Sequence, residues 1–159
     1  EESYMKWSVY FLAIIRNCDA TVTAEMCRRF ELAPRYRKLF LSERFAAERC
    51  LAWLERNQPV KSSTLYNKLS AFKTELVLYM MASTDREDVK RAISQFITGL
   101  RYVTVALKGE DLKKMGLKPG PIFREILRAV LNAKLNGRLI TKNDEIQFVR
   151  RYLRTGDRI

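Results

Sequence analysis

Apolar residues recur along this chain at three- and four-residue intervals, and the two-residue alternation that marks a half-buried strand is almost missing. Only Val103-Thr104-Val105-Ala106 alternates. A chain so patterned can bury its apolar surface only by packing helix on helix. Its 159 residues suffice for one helical domain with its own core, or two small helical units sharing one. The expected fold class is therefore all-α, a bundle of about seven to nine helices.

The elements follow from spacing and punctuation. The stretch from Tyr4 to Arg16, with Met5, Trp7, Val9, Tyr10, Phe11, Leu12, Ile14 and Ile15, predicts a mostly buried first helix. Thr23 is placed to cap a second helix with Glu25 in its first turn, ending near Leu32. Pro34 suits the first turn of a third, running to Arg56 before Asn57-Gln58-Pro59 breaks it. Ser62 or Ser63 opens a fourth through Leu65, Leu69, Phe72, Leu76, Val77 and Met80. Thr84-Asp85-Arg86-Glu87 has the spacing of a capping box for a fifth. The last third consists of shorter helices joined by Gly/Pro turns. Asp111–Met115 stops at Gly116, a helix from Pro119-Gly120-Pro121 runs to Asn136 and Gly137, and Thr141-Lys142-Asn143-Asp144 caps the last. The expected organisation is a helical body over 1–108 and a basic tail over 109–159, continuous as one unit. The chain opens on Glu1-Glu2 without a Met, which reads as an excised piece of a longer polypeptide.

The residue inventory excludes much chemistry. With no His in the chain, His-dependent triads, His-ligated metals and His acid–base catalysis are all unavailable. Cys18, Cys27 and Cys50 are odd in number and contain no C-x-x-C, so they read as free thiols in a reducing, cytoplasmic setting, with no metal site. The acidic groups Asp85/Glu87/Asp88 and Asp144/Glu145 fall in the first turns of helices, where they complement the dipole, and no phosphate-cradling Gly-rich loop occurs. No catalytic residue is assigned. No apolar run is long enough to span a membrane.

Charge supplies the positive signal. Thirty Lys and Arg against 18 Asp and Glu give +12, of which residues 109–159 carry +6. Such an excess points to a polyanion such as RNA. The candidate contacts are Arg35, Tyr36, Arg37 and Lys38, with the Tyr between cations; Arg124 and Arg128, four apart on one helix face; and Arg150 and Arg151 with Arg154 on the last helix. The turn Gly116-Leu117-Lys118-Pro119-Gly120-Pro121 adds Lys113, Lys114 and Lys118, the amides of Ile122 and Phe123 at a helix start, and Gly120 allowing close approach. It loosely resembles the helix-hairpin-helix turns that hold phosphates without reading sequence.

The run Gly109-Glu110-Asp111-Leu112-Lys113-Lys114-Met115-Gly116-Leu117-Lys118-Pro119-Gly120-Pro121-Ile122-Phe123-Arg124-Glu125-Ile126-Leu127, then Leu135-Asn136-Gly137 and Thr141 to Glu145, resembles a known pattern. It is similar to the C-terminal segment of bacterial tRNA nucleotidyltransferases and their poly(A) polymerase relatives. The form with CBS and phosphoesterase-like modules ahead of the catalytic head is the nearest subtype. Many members have Gly where Arg124 stands. The resemblance implies a helical body and tail that hold the acceptor stem and T-arm of tRNA or other structured RNA. An absent head, using Mg and ATP or CTP, would add nucleotides to the 3′ end. This chain alone, needing no cofactor, would be inactive. Whether CCA, CC, A or poly(A) is added would be decided in that head. The rival reading is a protein-interaction or self-association module, a homo-oligomer formed through an apolar face such as Trp7/Tyr10/Phe11.

Overall fold

A computed structural model describes residues 6–155. Among them there is no strand, and the chain is all-α. The helices are α1 (Lys6–Ile14), α2 (Ala20–Arg29), α3 (Pro34–Lys38), α4 (Arg44–Asn57), α5 (Ser62–Leu69), α6 (Thr74–Ser83), α7 (Glu87–Thr98), α8 (Gly109–Lys114), α9 (Pro121–Leu135) and α10 (Lys142–Thr155). A π-helical turn over Leu39–Glu43 fuses α3 and α4 into one rod, so the described residues form nine helices. Tyr4 and Met5, expected in the first helix, lie outside the described residues. The alternating run at 103–106 is irregular backbone leading into α8.

Three expectations about helix ends need correction. Asp19, not Thr23, caps α2: its carboxylate accepts from Val22 N at 2.8 Å, while the buried Thr23 hydroxyl donates back to Asp19 O. Thr84 does not box the start of α7, because its hydroxyl turns inward to donate to Glu55 Oε1 at 2.7 Å and the helix begins only at Glu87. The predicted fourth helix is two, α5 and α6, separated by a corner over 70–73. Apolar spacing continues unbroken through that corner, so periodicity alone could not reveal it. The box at α10 is present: Thr141 N donates to Asp144 Oδ2 at 2.8 Å, and Asp144 N donates to Thr141 Oγ1 at 3.2 Å.

Two glycines act as the punctuation expected of them. Gly116 (φ 86°) and Gly137 (φ 73°) are left-handed and close α8 and α9, with Leu117 N reaching Leu112 O at 3.2 Å and Arg138 N reaching Ala133 O at 3.0 Å.

The core is in two parts. The larger is built from α1 to α7 around Leu12, Phe40, Leu54, Leu69, Met80 and Ile93. The smaller gathers Leu107, Leu112, Ile126, Val130, Leu139 and Val149 from the segment before α8 and from α8 to α10. Helix α9 serves both, because Ile126 and Val130 face the smaller cluster while Leu131 and Leu135 pack on the larger. A polar seam alongside fixes its register against α5. Ser63 N donates to Asn136 Oδ1 at 3.0 Å, and Asn67 Nδ2 donates to Asn132 Oδ1 at 3.1 Å, so the two helices run antiparallel.

Candidate nucleic-acid interface

The cationic residues singled out from sequence divide into two kinds. Those near the start of the chain are already engaged. Arg28 and Arg29 both bind Glu25, at 2.7 and 2.8 Å, and those bonds, Arg28 first, hold the Glu25 carboxyl down at about 2. Arg35 lies 4.6 Å from the centre of the Tyr36 ring and donates to its hydroxyl at 2.9 Å. Arg37 Nε donates to Leu32 O at 2.7 Å, and Lys38 is 3.8 Å from Glu43. Tyr36 itself is half-buried, 4.7 Å from Trp7 and stacked towards Phe40. These groups brace the turn between α2 and α4.

Glu25 carries a pH prediction. Its folded pKa lies below the usual carboxylate value, so the bonds to Arg28 and Arg29 stabilise α2 above that value and are lost as pH falls from about 4.5 to about 2. A carboxyl titration followed by NMR should show this midpoint for Glu25, and Arg28→Ala with Arg29→Ala should return it to the ordinary glutamate range.

The cations of α8 to α10 stand differently. Lys113, Lys118, Arg124, Arg128 and Arg150 are exposed and have no ion pair among the described residues. Lys114 is exposed one residue from Lys113, with Asp111 near enough for its charge to help lower that carboxyl. Arg151 and Arg154 are exposed on the last helix, beside the Phe148–Tyr152 stack that packs on the smaller cluster. On α9, Arg124, Arg128, Leu131 and Leu135 fall at i, i+4, i+7 and i+11, one continuous stripe. The stripe's leucines are covered by the larger cluster and its arginines lie beyond that cover. The Arg that replaces the Gly of the related pattern is therefore accommodated in solvent.

At the turn before α9 the amides are only partly as expected. Phe123 N is occupied, donating to Gly120 O at 3.0 Å. Ile122 is 38% exposed at the helix start. Gly120 has extended backbone (φ 169°), and a Cβ placed on it would meet nothing within 4 Å. Neither strain nor crowding inside the chain demands glycine there.

Two residues that hold the structure together were missed in the sequence. Glu145 is fully buried and accepts from Ala106 N at 3.0 Å, Leu107 N at 2.9 Å and Lys134 Nζ at 2.7 Å. It anchors the segment before α8 to α9 and α10, a role beyond the dipole complement expected of it. Arg44, also fully buried, donates to the carbonyls of Ile15, Cys18 and Phe40 at 2.8 to 3.1 Å. Elsewhere Glu87 binds Lys90 and Asp111 binds Lys142. Among the described residues no cluster of three or more potential ligands could hold a metal. All three cysteines are free, and burial pushes the Cys27 and Cys50 thiols up. No described helix is long and apolar enough to cross a membrane.

The described residues thus form a helical scaffold with buried ionic braces at Arg44 and Glu145 and a set of exposed cations over α8 to α10. Comparison with known proteins identifies its relatives. The chain is 34% identical over 150 residues to the A-adding tRNA nucleotidyltransferase of Geobacter sulfurreducens, a match covering 92% of this chain and 17% of that protein. It is 28% identical over 75 residues to the A-adding tRNA nucleotidyltransferase of Halalkalibacterium halodurans, covering 47% of this chain and 18% of that protein. The chain is homologous to a segment of these tRNA nucleotidyltransferases, and it spans about a sixth of their length. No family model and no solved structure matches it.

Proposed function

We propose that this chain is the part of a tRNA nucleotidyltransferase that holds the RNA, acting through backbone phosphates and duplex shape, and that it supplies no catalytic group. The observation that carries the reading is the set of unpaired, exposed cations on α8 to α10, in a chain whose other basic clusters are braced internally. An A-form stem is recognised by shape and phosphate contact, which needs cations on a rigid surface and no base-edge reader. Residues 1–108 then form a body that carries the basic tail, 109–159. A catalytic head elsewhere in the parent, using Mg and ATP or CTP, would extend the tRNA 3′ end in the cytoplasm. That both relatives are A-adding enzymes favours A addition over CC, CCA or poly(A).

The turn before α9 gives the test. Changing Lys113, Lys114 and Lys118 together to Ala should leave the melting temperature nearly intact, since exposed substitutions usually cost no more than about 0.5 kcal/mol each. It should also flatten the dependence of log affinity for tRNA on log salt by about two to three phosphate equivalents. An unchanged affinity and slope would move the grip to Arg124/Arg128 or Arg150/Arg151, while loss of folding in this variant would show the lysines to be structural.

A further inference from the structure

The corner that splits α5 from α6 opens a cleft of about 640 Å³, within the size range of small-ligand sites. Tyr66, Phe72 and Phe96 line it, with Tyr66 and Phe96 edge to face at 6.1 Å. Its polar lining is Ser70, Thr74, Lys73 and Arg101 against one carboxylate, Glu75. Arg101 is fixed by a 3.0 Å bond to Thr74 Oγ1, and Lys73 lies 3.0 Å from Glu43. Aromatic walls and hydroxyls, with the Arg101 guanidinium among them, suit a flat, hydrogen-bonding ring.

The position of the cleft links it to α9. Ser63 pairs with Asn136 and Asn67 with Asn132, four residues along each helix in opposite directions. Carried to the end of α5, this register places Leu69 level with Val130, so Arg128 and then Arg124 lie further along α9, past the end of α5 on the side of the corner. We infer that the cleft receives one unstacked nucleotide of the bound RNA, its base between Tyr66 and Phe72, while Arg124 and Arg128 follow the adjoining phosphates. Stacking on aromatic side chains with cations along the backbone is the usual means of holding single-stranded RNA. This rests on the RNA-holding reading above and adds to it an unpaired nucleotide as part of what is held.

Ala71 supplies the test, because it is exposed, lines the cleft and belongs to no helix. The probes are a blunt RNA hairpin and the same hairpin with an unpaired extension of about four nucleotides, the lower end of single-strand site sizes. The wild-type chain should bind the extended hairpin about tenfold more tightly, the equivalent of one stacked base. Ala71→Glu should abolish that preference and leave both the melting temperature and the affinity for the blunt hairpin nearly unchanged; Ala71→Ser should keep the preference. Equal affinity of the wild-type chain for the two hairpins, or an undiminished preference in Ala71→Glu, overturns the cleft while leaving the RNA-holding reading intact. Failure to bind either hairpin at low salt overturns both.

Discussion

Arg44→Ala should lower stability by about 3–5 kcal/mol, the range for breaking a buried charged network, and the melting temperature by on the order of 10 °C. Arg44 is 0% exposed and its guanidinium serves three places at once. Nη1 donates to Ile15 O at 2.8 Å and Arg16 O at 3.2 Å, at the end of α1. Nη2 donates to Cys18 O at 2.8 Å, just before α2, and Nε to Phe40 O at 3.1 Å in its own rod. Glu48 Oε1, 3.3 Å away, supplies the counter-charge and also accepts from the Tyr79 hydroxyl at 2.8 Å. Ile15 O keeps the Cys18 amide at 2.9 Å, but removing the side chain takes the Arg44 donor from Arg16 O and Cys18 O, each costing about 1–3 kcal/mol, and leaves a cavity besides. Arg44→Lys keeps the charge but not the planar fork of donors, so thermal denaturation should place it between wild type and Arg44→Ala. A melting temperature within 2 °C of wild type for Arg44→Ala, about the smallest shift expected per kcal/mol, would show the network to be incidental.

Glu145→Ala should act more locally, with a loss of about 3 kcal/mol or more confined to the smaller cluster. The substitution strands the Lys134 ammonium, 21% exposed, together with the amides of Ala106 and Leu107. Hydrogen exchange should show faster opening at 106–107 and along α10, while the amides of α4 to α7 keep their protection. Uniform loss of protection across both clusters would mean that they unfold as one unit. Glu145→Gln should fall between, because its amide oxygen can still accept but no longer neutralises Lys134.

What was readable in the sequence was whatever rests on periodicity and on punctuation by glycine and proline. The all-α class, the closures at Gly116 and Gly137, the start of α9 at Pro121 and the box before α10 all belong here. What was hidden depends on contacts between residues far apart in the chain. Thr23 looked like a cap, but Asp19 fills that role and Thr23 is turned into the Arg44 site. Thr84 had the right spacing, but a partner 29 residues away claimed its hydroxyl. Arg44 and Glu145 are charged residues that a pattern of hydropathy places on the surface, and only the fold shows them buried. The same limit applied to the cations. Composition located the excess in 109–159, but only the structure separates Arg28, Arg29 and Arg37, which have partners within the chain, from Lys113, Lys118, Arg124 and Arg128, which have no ion pair among the described residues.

Affinity for tRNA measured between 50 and 200 mM salt tests the central claim most directly. If about six phosphates are neutralised by the face of α8 to α10, binding should weaken roughly a thousandfold over that range, by analogy with duplex DNA, and no labelled ATP or CTP should be incorporated by the chain alone. Affinity that ignores salt, or no binding at 50 mM, would contradict the account and favour a protein-interaction role, and incorporation of nucleotide would contradict its non-catalytic half.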